Sequence, residues 1–323
     1  MARIDIYFEL GILRVHYTKN FQTMNKIIKG LLRPTVALHY ILEKNAKWFP
    51  GDELYIKIDH YLAMGQWPNL KNPRTFNEKL QWLKLHDKRE EYTQMVDKYE
   101  AKKYVAGIIG EEYIIPTLGV WDRFEDIDFS ALPNQFVLKT THDSGGVVIC
   151  KDKEKFDIEK AKKKLNKSLK SNFYYMHREY PYKNVKPRII AEQFMVDESG
   201  TELKDYKLFC FQGEVKFLFV ATDRPLDTRF DFFDEQFNHL PFKQGHPLAK
   251  KEIKKPKGFE EMKRLASQLS QGIPQVRVDF YDINGKIYFG ELTFFHFSAC
   301  VPFEPEEWDY KLGEFINLPK DMD

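Results

Sequence analysis

The strongest constraint on what this chain can fold into lies near its C-terminal end. Across QVRVDFYDINGKIYFGELTF, residues 275–294, Val276, Val278 and Leu292 alternate with Arg277, Asp279, Glu291 and Thr293 on either side of Asn284-Gly285. A two-residue period divided by Asn-Gly specifies an antiparallel hairpin with one apolar and one polar face. The turn decides which polar residues share that face. An odd-numbered connection gathers Arg277, Asp279, Glu291 and Thr293, whereas a two-residue turn at Asn284-Gly285 separates them. Asp282 suits the first position of a type I turn leading to a left-handed Gly285, so a three-residue connection is expected. Two carboxylates on one polar face can hold Mg2+, which keeps most of its ligands as water and phosphate oxygens, and an adjacent arginine can neutralise a transferred phosphoryl group. Solvated charges on an amphipathic hairpin are the competing reading.

A second segment points the same way. In FVLKTTHDSGG, residues 136–146, an apolar strand delivers Lys139, and Thr140 to Gly146 form a small polar loop ending in glycine. Such a loop can lay backbone N–H groups over phosphate oxygens while the lysine supplies charge; a plain turn with a surface lysine is the alternative. The remaining periodicity predicts helices at 76–85, capped by Asn77, and from Tyr92 to Gly107, then a lysine-rich helix at 158–169 with a solvated face. Strands are predicted at 188–196, 205–211 and 214–222, the last two joined across Gln212-Gly213, and a further helix at 259–269. Helices and strands alternate without the rhythm of a parallel sheet, so the expected class is α+β with antiparallel sheets.

Composition excludes several classes. Lys plus Arg is 50 against 48 for Asp plus Glu, too even for a nucleic-acid footprint. Cys150, Cys210 and Cys300 are far apart and flanked by apolar residues, which suits buried reduced thiols better than disulfides or a metal site. The dinucleotide fingerprint, the phosphate-loop motif and HExxH are missing. No apolar run is long enough to span a membrane and no secretory signal is evident, so a cytoplasmic protein is expected. Residues 1–50, however, hold eight basic and three acidic side chains around Ile27, Ile28, Leu31, Leu32, Val36, Leu38, Ile41 and Leu42. That pattern fits peripheral contact with the inner face of an anionic membrane, or a basic helix packed on its own domain.

Taken in order, NPRTFNEKLQWLKLHD, VDKYEAKKYV, FVLKTTHDSGG, RIIAEQF, DYKLF and VRVDFYDINGKIYFGELTF resemble the TupA-like ATP-grasp family, named after teichuronopeptide biosynthesis. The resemblance implies two antiparallel α+β lobes enclosing ATP over residues 91–323, with a hinge at 192–195, after a mainly helical region at 1–90. It further implies that Lys139, with Lys98 or Lys103, binds phosphates and that Ser144, Gly145 and Gly146 form a closing loop. Glu192, Gln193, Phe194 and Met195 would recognise adenine. Asp279, Glu291 and Thr293 would hold Mg2+, with catalytic roles for Lys139, Lys207 and Arg277 beside the phosphates. Thr293 stands where other ATP-grasp enzymes commonly have asparagine.

The implied reaction joins a carboxylate to an amine through an acylphosphate. The substrates would be a uronic-acid-containing surface polysaccharide, or its precursor, and an amino-acid-like amine. Tyr174, Tyr175, Arg178, Tyr180 and Tyr182 could stack on a sugar and hold its carboxylate, or could serve as core aromatics. A polysaccharide kinase, a glycosyltransferase using Asp126 and Asp128, and a non-catalytic nucleotide-binding scaffold are the rival readings.

Overall fold

The computed structural model describes residues 7–9, 12–14, 34–197, 203–223 and 227–319. Nine strands build the two main sheets. They are β1 (Thr117–Trp121), β2 (Phe136–Thr140), β3 (Val147–Cys150), β4 (Ile189–Gln193), β5 (Asp205–Phe211), β6 (Glu214–Thr222), β7 (Arg229–Asp234), β8 (Val276–Ile283) and β9 (Lys286–Thr293). Four make an antiparallel sheet in the order β1-β4-β2-β3, and five make a second in the order β9-β8-β5-β6-β7. The helices are α1 (Pro34–Asn45), α2 (Asp52–Met64), α3 (Phe76–His86), α4 (Glu91–Val96), α5 (Glu100–Ile109), α6 (Ile158–Leu169), α7 (Tyr174–His177), α8 (Phe259–Leu269) and α9 (Glu307–Gly313).

Each sheet owns a core. In the smaller lobe, Phe136, Leu138, Ile189 and Ala191 of alternating strand positions meet Ala161 and Leu165 of α6. The outer face of α6 stays solvated, as its lysines require. In the larger lobe, α8 lays Phe259, Met262, Leu265, Ala266 and Leu269 on one face of the five-stranded sheet. Phe76, Leu80 and Leu83 of α3 contribute to the same core, with Phe76 edge-on to Phe209, Phe211, Phe217 and Phe303. With coverage on both faces, β5 is buried at every position. Helix α3, grouped by the sequence with the helical N-terminal region, is therefore part of the larger lobe.

Local chemistry corrects three expectations. The cap of α3 is Thr75, whose hydroxyl accepts from the Glu78 N–H at 3.1 Å while Glu78 accepts from the Thr75 N–H at 3.2 Å. Asn77 instead donates its backbone and side-chain N–H groups to Asp309, both at 2.9 Å. The helix read from Tyr92 to Gly107 is two helices, because Asp97 turns extended and accepts from the N–H groups of Tyr99 and Glu100.

The third correction concerns the C-terminal hairpin. Its connection is the two-residue turn Asn284-Gly285, with φ of 56° and 88°, and Ile283 faces Lys286. Such a turn alone would scatter the polar set, but a bulge restores it: Phe280 faces Phe289, whereas Asp279 faces Glu291. Gly290 is the extra residue, and a Cβ there would lie 3.1 Å from the Asp279 carbonyl oxygen. Arg277 thus faces Thr293 and Asp279 faces Glu291, by a different device from the one expected.

In the N-terminal region, Tyr7–Glu9 and Ile12–Arg14 pair as short strands, and α1 and α2 share a small core of Leu42, Ala46 and Tyr55. Helix α1 exposes Val36, Leu38, Tyr40 and Ile41. Ile27, Ile28, Leu31 and Leu32, the other half of the apolar stripe, lie outside the described residues. Among the described residues no helix is long and apolar enough to cross a membrane.

Candidate active site

Two charged clusters face each other between the lobes. The first is built on Glu192 of β4, which accepts from Lys139 of β2 and from Lys102 of α5, each at 2.6 Å. Burial pushes the Glu192 carboxyl up, but the ammonium groups of Lys139 and Lys102 outweigh it and hold it at about 2. Burial likewise opposes the Lys139 ammonium, and Glu192 more than offsets that, leaving its pKa raised. Lys102 also donates to the Ile115 carbonyl at 2.7 Å. Lys103 points elsewhere: it is exposed, 3.8 Å from Glu100 and over the ring of Tyr99. Lys102, not its neighbour Lys103, is the α5 lysine paired with Glu192.

The loop after Lys139 is braced from inside. Asp143 accepts from the Thr140 hydroxyl at 2.5 Å, from the Gly146 N–H at 3.1 Å and from the Ser168 hydroxyl. Gly146 has no room for a side chain, since a Cβ would stand 1.7 Å from the Thr140 hydroxyl oxygen. Lys98, delivered by the break at Asp97, donates to the Asp143 carbonyl, and its backbone N–H bonds Thr141 at 3.0 Å. Burial lowers the Lys98 pKa, against the pull of Glu291 and Asp143. Ser144 and Gly145 stay exposed at the tip.

The second cluster occupies the polar face of the β5-β8-β9 strands. Arg277 grips Asp279 through two N–H groups at 2.7 Å each and reaches Glu291 at 3.2 Å and the Thr293 hydroxyl at 2.9 Å. Lys207 binds Asp279 and lies 3.7 Å from Asp205 and 4.0 Å from Glu291. Burial pushes the Asp279 carboxyl up while Arg277 and Lys207 pull it back. Burial also opposes the Glu291 carboxylate, yet Lys207, Arg277 and Lys98 hold it at about 2. Lys98 and Lys139 both feel Glu291, which ties the clusters into one electrostatic site.

Sequence reading missed several members. His296 accepts from Arg277 at 2.8 Å through Nδ1 and faces Gln244 at 3.1 Å through Nε2, an arrangement that assigns it the neutral tautomer. Burial and the nearby cations drive its pKa well below the ordinary value. Lys102 lies inside the VDKYEAKKYV segment and Asp143 inside FVLKTTHDSGG, so both were within reach of the sequence, whereas Gln244, far from every motif, had no signal and His296 had only its place just after the C-terminal hairpin.

Other predicted residues are engaged elsewhere or lie at the rim. Gln193 is exposed and bonds the Pro116 carbonyl through its N–H at 3.1 Å; Phe194 and Met195 are half-buried. Arg178 is buried, ion-paired with Asp52 at 3.2 Å, bonded to the Ala46 carbonyl at 2.6 Å and set 4.2 Å from the Tyr55 ring. Tyr174 donates to the same Asp52 at 2.8 Å. These residues lock α2 to the loop before β4, so Arg178 is not free to hold a sugar carboxylate. Tyr182 is partly buried against the core of the larger lobe, edge-on to Phe173 at 5.0 Å. Asp126 pairs with Arg123 at 2.5 Å and Asp128 caps Ser130, so both serve their own loop.

Two antiparallel lobes with cations from both converging on paired carboxylates define an ATP-grasp protein. The sequence pattern of the TupA-like ATP-grasp proteins matches residues 78–317, and the chain belongs to that family. Among curated proteins none matches. Similar solved structures include D-alanine–D-alanine ligase from Bacillus anthracis complexed with ATP, at 14% identity and TM-score 0.36, covering 62% of this chain and 53% of that one. The Helicobacter pylori D-alanine–D-alanine ligase gives 17% identity and TM-score 0.36, covering 75% and 69%. The ATP-grasp ligase PsnB, complexed with minimal precursor, Mg and ADP, gives 12% identity and TM-score 0.35, covering 63% and 52%. The chain thus spans about half the length of two of these three ligases.

The donor set fits the Mg2+ that the family implies. Asp279 and Glu291 are oxygen donors on adjacent strands, and the Glu291 side chain is 40% exposed toward the cleft. Both are balanced by Arg277 and Lys207, cations that phosphate oxygens can also engage.

Proposed function

We propose that this protein is an ATP-dependent carboxylate–amine ligase. The observation that carries the reading is the convergence of Lys98, Lys139, Lys207 and Arg277 on the cleft face that holds Asp279 and Glu291, with Lys102 joined to Lys139 through Glu192. Lys139, Lys102 and Lys98 hold phosphate oxygens, with Ser144 to Gly146 closing over them and Glu192 to Met195 lining the adenine end. Asp279 and Glu291, with Thr293 beside them, hold Mg2+, which when bound screens the charge of the phosphates. The substrate carboxylate oxygen attacks the γ-phosphorus and ADP departs. The amine nitrogen then attacks the acyl carbon, loses a proton and expels phosphate. Arg277 and Lys207 neutralise the charge that grows on the transferred group, and His296 keeps Arg277 aimed. Lobe closure excludes water that would otherwise hydrolyse the acylphosphate.

The acceptor proposed is a uronic-acid-containing surface polysaccharide or its precursor, and the amine an amino-acid-like compound, on the strength of the family resemblance. The test is phosphate and ADP release from the full chain across a matrix of uronic-acid saccharides and amino acids, with the product identified by mass. An amide product with free phosphate supports the ligase. A phosphorylated saccharide, or no turnover in any pairing, overturns it. Residues 1–50 are proposed to rest on an anionic membrane surface, supported by their basic excess and by the exposed apolar side chains of α1. Ala46 is buried and receives Arg178, so the matching truncation removes residues 1–33 only. Six of the eight basic side chains precede Pro34, so vesicle sedimentation at low salt should fall sharply in this truncation while ATP binding persists.

A further inference from the structure

A third polar cluster lies where α1, α2, α7 and the segment after β9 meet. Its centre is Asp59 of α2, which is 1% exposed. One carboxylate oxygen is 2.6 Å from His39 Nε2 of α1. The other is 3.0 Å from His177 Nδ1 of α7 and 3.6 Å from Cys300 Sγ. The ligating atoms of Asp59, His177 and Cys300 all lie within 4.8 Å of one another.

We propose that Asp59, His177 and Cys300 bind one zinc ion, with water at the fourth position and His39 orienting Asp59 through its other oxygen. Three arguments support this. The groups around the carboxylate are two imidazoles and a thiol, each able to give up the proton that a metal replaces. Ligands 2.0 to 2.3 Å from a tetrahedral zinc stand about 3.3 to 3.6 Å from one another; Asp59 lies 3.0 Å from His177 and 3.6 Å from Cys300, and His177 and Cys300 lie within 4.8 Å of each other, so small side-chain shifts would complete the geometry. A thiolate, an imidazole and a carboxylate select zinc over Mg2+, so the site would not compete with Asp279 and Glu291.

The surroundings are charge-balanced. Lys84 and Glu179 are both buried nearby, Lys84 donating to the Ser298 carbonyl at 2.7 Å and Glu179 accepting from the Ser298 hydroxyl at 2.6 Å. The zinc charge would be matched by the Asp59 carboxylate and the Cys300 thiolate. Cys300 follows three consecutive non-glycine residues with positive φ, Phe297 at 48°, Ser298 at 53° and Ala299 at 55°. Such backbone is held by its surroundings rather than by its own preference. A metal on Cys300 would pin the end of this turn and clip α2 and α7 to the segment that carries His296.

The test uses the full chain, stripped with a chelator and reloaded in excess Mg2+. One equivalent of Co2+ should give a thiolate-to-cobalt absorption band, and Zn2+ should displace it with one-to-one stoichiometry. Cys300→Ser should abolish the band and weaken Zn2+ binding at least 100-fold, and His39→Gln should weaken it about 10-fold while keeping the band. Glu291→Gln should leave Zn2+ affinity unchanged. Because Cys300→Ser could fail to fold, alkylation of the wild-type chain is followed by mass spectrometry, where Zn2+ should protect Cys300. No thiolate band, a stoichiometry well below one, or equal alkylation of Cys300 with and without Zn2+ overturns the proposal.

Discussion

Glu192→Gln tests the phosphate-side cluster most sharply, because it removes one charge and almost no volume. The carboxyl falls from an ordinary 4.5 to about 2 on folding, which is worth about 3 kcal/mol. A depressed carboxyl stabilises the fold above its unfolded pKa, so this contribution is present at pH 7 and is lost as pH falls from about 4.5 toward 2. Removing the charge leaves Lys102 and Lys139 close together without their counter-ion, a change of the kind that costs about 3 to 5 kcal/mol. The melting temperature should drop by roughly 5 to 10 °C. A triphosphate would resupply the missing negative charge, so saturating ATP with Mg2+ should raise the melting temperature more in the variant than in wild type. The assay is thermal unfolding with and without nucleotide, alongside ATP titration calorimetry. Equal stability without nucleotide, or an equal or smaller ATP-induced shift in the variant, would refute the reasoning.

Other perturbations separate the remaining claims. Asp279→Asn and Glu291→Gln should each cut turnover by about two orders of magnitude or more while far-ultraviolet circular dichroism stays native, as read by coupled ADP release. Lys102→Ala should weaken ATP binding and Lys103→Ala should leave it unchanged; equal effects would remove the assignment of Lys102. Burial raises the Asp309 carboxyl to about 6 despite its bonds from Asn77. A raised carboxyl favours the fold when protonated, so stability should fall by up to about 3 kcal/mol as pH rises from about 4 to 6, and Asp309→Asn should flatten that dependence in urea unfolding. Gly290→Val should cost stability by roughly 1 kcal/mol or more and reduce turnover, because the new Cβ meets the carbonyl of Asp279, 3.1 Å away.

Local signals carried much of the architecture. Helices at 158–169 and 259–269 and strands at 205–211 and 214–222 lie where periodicity puts them, because a helix face or a pleated strand writes its burial directly into residue spacing. The polar set Arg277, Asp279, Glu291 and Thr293 was legible for the same reason, although its turn was not. Bulge position depends on what the glycine packs against, and Gly290 packs on a neighbouring strand. Spacing along one segment cannot see that partner.

What tertiary structure alone decided is which charges meet. Lys102 and Lys103 are equivalent by composition; only the packing of α5 on α8 and β9 turns one toward Glu192 and leaves the other in water. Arg178 reads equally as a sugar-binding cation or as part of a core aromatic cluster until α2 brings Asp52 and Tyr55 to it. Cys300 reads as an inert thiol until Asp59, 241 residues away in sequence, and His177 arrive beside it. Secondary structure follows from short-range periodicity, but the pairing of buried charges depends on contacts between distant segments, since each must find its counter-ion wherever the packed fold presents one.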